Sequence, residues 1–338
     1  MKEPRDLRPW LAFFMIGAAL FLFRDLLTPR LQAFFADPEV VSFLLYLETG
    51  RVMQVSGELE PVETTVPTTA PPETEAATEP TQGPAIISDG EAVNIRDSTN
   101  LRYDAQALLQ ESLEWDLADG APRVLIFHTH ATESYTPTKE NQYKASSYYR
   151  TLESEDNMLR VGQLLAEKLQ AFEIGVIHDT TLHDYPSYNG SYSAARKTLK
   201  NRLEQTPTLC LLLDIHRDAI ESSSGKQLAA KLSVDGQAVA QIMLVVGTNA
   251  GGLDHPEWKN NLSLALKLQH QLERICPGIC RYISLRTERF NQDLSPGAVL
   301  VEIGAAGNTL EEALAAAEIL AEAIHSLTKG AATEDSTN

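Results

Sequence analysis

The chain has 338 residues, room for one large domain with accessories, and carries 28 Lys and Arg against 46 Asp and Glu, a formal charge of −18. That sign excludes a protein that grips a phosphate backbone, so no nucleic-acid partner is expected. Eight of the acids fall between Arg51 and Arg96, a stretch without Lys or Arg, so much of the imbalance belongs to a linker rather than to a binding face.

Lys2, Arg5 and Arg8 precede PWLAFFMIGAALFLF, residues 9–23, which is uncharged and overwhelmingly apolar. The run is shorter than the roughly 20 residues of a full span, but Leu26 and Leu27 continue it and Arg24 can snorkel to the interface. No small-x-small cleavage site follows closely, so the run predicts an uncleaved anchor within residues 1–30, its tip in the cytosol; a cleaved signal peptide is the alternative. Residues 31–54, with the apolar patch VVSFLLYL at 40–47, form a membrane-proximal segment. Residues 55–94 are rich in Thr, Pro and Glu and cannot bury enough apolar surface to offset their ordering entropy, which predicts a disordered, extended tether. A folded domain over 95–328 and a tail over 329–338 complete the chain.

Within the domain, VLIF predicts a strand over 124–127, followed by a helix over 156–171, a strand over 174–178 and a helix over 191–204. A strand over 208–215 comes next, then a hairpin within 229–247 turning at Asp235-Gly236, and a helix over 258–274. A strand over 298–303 and a helix over 309–328 close it, with Asn308 as N-cap and Glu311 as its partner. Continuous apolar strands alternating with amphipathic helices predict an α/β fold, a mostly parallel sheet covered by helices on both faces. Cys210 reads as a buried small hydrophobe, while Cys276 and Cys280 leave a bridge open outside the cytosol; no C-x-x-C or paired Cys/His finger supports structural zinc.

In such sheets, functional groups gather outside the carboxyl ends of the strands. His128 and His130 follow the first strand, with Glu133 close behind; His216 follows CLLLDI, and Glu302 interrupts the apolar AVLVEIG. A catalytic zinc needs about three protein donors and a separate carboxylate as base. His130, Glu133 and His216 as ligands with Glu302 as base meet that need. A loop of hydrogen-bonded histidines, His216 paired with Asp214 or Asp218, and Glu302 paired with a buried Arg286 are the structural alternatives. Serine, cysteine and nucleotide chemistries lack their motifs: Ser134 has no elbow glycines, and Gly251-Gly252 has no phosphate-loop spacing.

LIFHTHATESY, LLLDIHRDA and FNQDLSPGAVLVEIGAAGNTLEEA, with the single anchor and its tether, together resemble the stage II sporulation protein P family of endospore-forming bacteria. The resemblance covers roughly residues 95–328. It implies a membrane-anchored zinc (Zn2+) peptidoglycan hydrolase with its domain outside the membrane, acting as an N-acetylmuramoyl-L-alanine amidase and on peptide cross-links during engulfment, with sporulation proteins D and M as partners. The family is in turn similar to the wider zinc amidases, which implies His130 rather than His128 as first ligand, His216 as second and Glu302 as catalytic glutamate. For the carboxylate ligand, the wider amidases point to Glu153 or Glu155 before a long helix, and the sporulation motif to Glu133, which is preferred. His128 is then a neighbour that orients the site or an alternative ligand. Arg217 is expected to hold a stem-peptide carboxylate, and Asn291, Gln292 and Asp293 to line the groove. A non-catalytic cell-wall-binding scaffold and a zinc peptidase acting on proteins are the competing readings.

Overall fold

The computed structural model describes residues 85–86, 92–113, 115–117 and 119–330. The anchor, the membrane-proximal segment, nearly all of the tether and residues 331–338 of the tail lie outside the described residues. Among the described residues, no helix is long and apolar enough to cross a membrane.

The strands in chain order are β1 (Ala85–Ile86), β2 (Ala92–Val93), β3 (Ile95–Asp97), β4 (Pro122–Phe127), β5 (Ala145–Ser147), β6 (Arg150–Thr151), β7 (Gly175–His178) and β8 (Leu211–Asp218). They continue with β9 (Lys231–Val234), β10 (Gln237–Ala240), β11 (Ile242–Gly247), β12 (Cys280–Arg286) and β13 (Ala298–Ala305). The α-helices are α1 (Ala105–Gln110), α2 (Met158–Ala171), α3 (Ser191–Gln205), α4 (Trp258–Ile275) and α5 (Leu310–Gly330). Seven strands form one sheet in the order β3, β12, β11, β13, β8, β4, β7. Neighbours in it are parallel except β11 with β13, so the carboxyl ends of β4, β7, β8 and β13 share one edge.

The two faces are unequally covered. Alternate strand residues such as Val124, Ile126, Leu213, Ile215, Val299 and Val301 share one core with α2, α4 and α5. On the opposite face Leu125, Phe127 and Leu212 meet a single helix, α3, through Leu199 and Leu203. Farther along that face Met243, Val245 and Leu300 are covered by Tyr282 and Phe290 rather than by a helix. The expected two-sided helical cover is therefore lopsided. Strand side chains alternate with a period of two, which puts Asp214 and His216 on the face of Leu212, and Glu302 on the face of Leu300. The candidate groups thus point to the thinly covered side.

Other departures have local causes. Residues 229–247 form a hairpin, β9 with β10, but β11 leaves it and joins the main sheet between β12 and β13. Helix α5 is capped by Thr309 and Glu312, not Asn308 and Glu311: Thr309 N donates to Glu312 Oε2 at 3.2 Å and Glu312 N to Thr309 Oγ1 at 3.3 Å. Asn308 instead accepts from Ala230 N and Ala305 N, tying the hairpin to the end of β13. Cys276 and Cys280 are both free thiols, and Cys210 is only partly buried.

Candidate active site

The loop after β4 is fixed from several directions. Thr129 donates its backbone N–H and its hydroxyl to Asp214 of β8, at 2.8 and 2.6 Å. Tyr135 donates its hydroxyl to the Ile303 carbonyl of β13 at 2.8 Å. Ser134 N bonds to Tyr149 O and Met158 N to Glu133 O, so residues 132–134 run against the β6 ribbon and the start of α2. Sheet register places Glu302 directly beside His216.

These constraints bring His130, Glu133, His216 and Glu302 together. The rings of His130 and His216 lie 5.3 Å apart, nearly perpendicular. His216 Nδ1 is 3.6 Å from Glu133 Oε2, and its Nε2 is 2.8 Å from Asp214 Oδ1 but without hydrogen-bond alignment. His216 therefore does pair with Asp214, while Asp218 pairs with Arg281. Arg286 pairs with Glu288, not with Glu302.

Burial takes the charge off His130, whose pKa falls to about 3, with His216 and Arg150 adding to the effect and Glu133 opposing it. Burial works the same way on His216, but Asp214 and Glu133 outweigh it and hold that imidazole protonated well above its usual range. For Glu133, burial is overcome by Arg217, His216 and His130, which keep the carboxylate ionised far below its ordinary pKa. On Glu302 burial prevails: with Asp218 and Glu133 adding, it lifts the carboxyl to about 8, only partly offset by His216 and Arg217.

A zinc ion is a fair match for the donor chemistry, two imidazoles and a carboxylate. His130 Nδ1 and Glu302 Oε2 are buried with no hydrogen-bond partner among the described residues, as groups awaiting one would be, whereas His216 Nε2 lies against Asp214 in a misaligned contact. His130 is already neutral, as a ligand must be; His216 would have to release a proton. Glu133, however, faces Arg150 Nη2 at 3.3 Å and Arg217 Nη1 at 3.7 Å. Among the described residues, no three His, Cys, Asp or Glu side chains are arranged to close on one ion. The donors fit by type, and His130 offers an unsatisfied nitrogen, while His216 lies between Asp214 and Glu133 and Glu133 is engaged by guanidinium.

Glu153 is exposed, and Glu155 is 83% exposed beside Arg160, so neither reaches the histidines. His128 is fully buried, its Nδ1 donating to Ile215 O at 2.9 Å and its Nε2 facing His178 Nε2 at 3.0 Å. Both nitrogens are taken, so it is no alternative ligand; it braces the backbone next to His216. His183 is likewise satisfied, by His128 O and Thr198 Oγ1.

Arg217 does not face a groove. β8 runs to Asp218 rather than ending at 215, so Arg217 points to the opposite side from His216 and is buried. There it donates from Nε to Ser134 O and from Nη2 to Tyr149 O, at 3.1 and 3.0 Å. Gln292 is also consumed by the fold, accepting from Gly247 N and donating to Val245 O. Asp293 pairs with Arg196 and Arg289, and Asn291 donates to Tyr192 O.

Sequence reasoning missed Tyr188, Tyr192, Arg150 and Asp184. Tyr188 stacks on His130 with centroids 4.5 Å apart, Tyr192 of α3 meets the same ring edge-on at 5.7 Å, and Asp184 binds Arg150 at 2.6 Å. The clustering of tyrosines in YPSYNGSYS, residues 185–193, was the one signal available.

The family model described as stage II sporulation protein P matches residues 44–325. Stage II sporulation protein P of Bacillus subtilis (strain 168) is 28% identical over 214 residues, covering 59% of this chain and 50% of its own, so the chain spans about half the length of that relative. Among solved structures, the CwlD amidase from Clostridioides difficile, in complex with the GerS lipoprotein, is 16% identical with a TM-score of 0.39, over 63% of this chain and 100% of its own. The N-acetylmuramoyl-L-alanine amidase AmiC2 of Nostoc punctiforme is 12% identical with a TM-score of 0.38, over 63% and 98%. With the family model matched over most of its length, the chain belongs to the stage II sporulation protein P family.

Proposed function

We propose that this chain is a zinc-dependent peptidoglycan hydrolase that cleaves the N-acetylmuramoyl-L-alanine amide bond and peptide cross-links. It is anchored in the cell membrane through residues 1–30 with its domain outside, and acts with sporulation proteins D and M in engulfment. Family membership supports the sporulation setting. The observation that carries the chemistry is Glu302, the register partner of His216, whose Oε2 is buried and left unsatisfied within electrostatic reach of Glu133.

His130, His216 and Glu133 are the residues that would hold zinc, which supplies Lewis acidity to polarise a scissile carbonyl and to acidify water. In its ionised form Glu302 accepts the proton of the attacking water on Oε2 and passes it to the departing amide nitrogen as the C–N bond breaks. Asp214 fixes the relative position of the two histidine segments by holding Thr129 and standing against His216. Tyr188 and Tyr192 shield His130 from solvent and hold its ring.

A non-catalytic cell-wall-binding scaffold is the second reading, favoured by the commitment of Glu133 to two arginines. Elemental analysis tests the ligand set first. Wild-type protein is expected to hold about one zinc per chain, and His130→Ala and His216→Ala each to lose most of it while keeping the circular dichroism of the wild type. Equal zinc content in all three would remove these residues from the ligand set.

A further inference from the structure

Arg150 enters the site from β6, alongside residues 132–134. Its Nη1 donates to Asp184 Oδ2 at 2.6 Å and to Thr132 Oγ1 at 3.2 Å; its Nη2 reaches Glu133 Oε1 at 3.3 Å. Its Cζ lies 4.7 Å over the ring of Tyr188, which also stacks on His130. Asp184 also accepts from the Thr132 hydroxyl and backbone N–H, and its side chain is wholly buried. The guanidinium is thus pinned by an acid outside the candidate donor set and by an aromatic face. Its remaining fork is aimed at one oxygen of the carboxylate that the donor set includes.

A buried carboxylate needs a compensating charge, and a fixed cation that supplies it also repels any second cation brought to the same oxygen. We infer that Arg150 is a positioning residue that competes with a divalent cation for Glu133, so that the Asp184–Arg150 pair sets how tightly the ion is held. The inference rests on the ligand set proposed above. Removing the competitor strengthens ion binding. Removing Asp184 instead leaves the Arg150 charge with Glu133 as its one remaining acidic partner in the site and weakens ion binding.

The test titrates zinc against a competing chelator of known affinity using the full chain, for wild type, Arg150→Gln and Asp184→Asn, with thermal unfolding of each protein stripped and zinc-loaded. Arg150→Gln is expected to tighten zinc binding by about tenfold and Asp184→Asn to weaken it by a similar factor. The zinc-induced rise in Tm should accordingly be larger than wild type in the first variant and smaller in the second. A merely structural arginine gives the same fall in Tm with and without zinc and no change in affinity; that result, or a shift of both variants in one direction, overturns the inference. Should Arg150→Gln fail to fold, weakened binding in Asp184→Asn supports the inference and unchanged or tighter binding overturns it. Wild-type protein that takes up no zinc would instead defeat the ligand set itself, and the inference with it.

Discussion

Glu302→Gln is expected to reduce peptidoglycan hydrolysis by roughly 10²- to 10⁴-fold, the usual contribution of a positioned acid–base group, while leaving zinc content unchanged. The substitution keeps the shape of the side chain and removes only its capacity to carry a proton. It also has a stability signature that a surface glutamate would lack. The folded-state pKa of Glu302 is raised to about 8 from 4.5, so between those values the folded chain binds more protons than the unfolded one. The stability linked to this proton is fully present below the lower value and is lost as pH rises toward the upper one, by about 1.4 kcal/mol per pH unit. Glutamine has no such proton to lose. In urea unfolding of zinc-stripped protein at pH 5, 6, 7 and 8, the variant should therefore gain steadily on the wild type. Parallel pH profiles would show that Glu302 is not held protonated by its surroundings, and undiminished hydrolysis would remove it as the base.

The second large effect concerns folding. Arg217→Met is expected to destabilise the domain by about 3–5 kcal/mol, the usual loss when one partner of a buried charge arrangement is taken away. The methionine fills the space, but Ser134 O loses the Arg217 donor, Tyr149 O keeps only Ser134 N, and Glu133 loses one of its compensating guanidinium groups. Arg217→Lys should fall between, since it keeps the charge but not the fork that serves two carbonyls at once. The check is the urea midpoint at constant slope. A loss below about 1 kcal/mol, together with a raised KM for peptidoglycan, would return Arg217 to the substrate-binding role that sequence reasoning gave it.

The face-up side of β8 explains why that role was misassigned. His216 and Arg217 are adjacent in the sequence, and within a strand adjacent residues point to opposite faces. Ending the strand at 215 hid this; extending it through Asp218 puts His216 on the thin face and Arg217 into the packing between β8 and the loop after β4. The helices and the apolar strands were legible because their periodicities are strong and both sheet faces are buried. β12 was not, because CRYISLR mixes charged and apolar residues, and only its second half, Ile283 to Leu285, is well buried. β3 is three residues long and carries no periodic signal at all.

In the site itself, His130, Glu133, His216 and Glu302 were legible as polar interruptions of apolar runs, where an unpaired group demands a reason. Arg150, Asp184 and Tyr188 were not, because nothing local marks them: Arg150 meets Glu133 across 17 residues and Asp184 across 34. Their roles are set by how the β6 ribbon and the loop before α3 close over the histidines. Gln292 and Asp293 sat in a motif of the resemblance, yet the fold uses one to hold β11 and the other to hold two arginines.

Amide-bond hydrolysis of peptidoglycan is measured most directly through its products. Full-length protein, zinc-loaded or stripped with chelator, is incubated with intact peptidoglycan with and without sporulation protein D, and the soluble products are read by mass spectrometry. The expected result is zinc-dependent release of free stem peptides, with muramic acid left bearing an unsubstituted lactyl group, and no release by Glu302→Gln. Zinc bound in full with no stem peptide released, even with protein D present, would contradict the claim and leave the cell-wall-binding scaffold in its place.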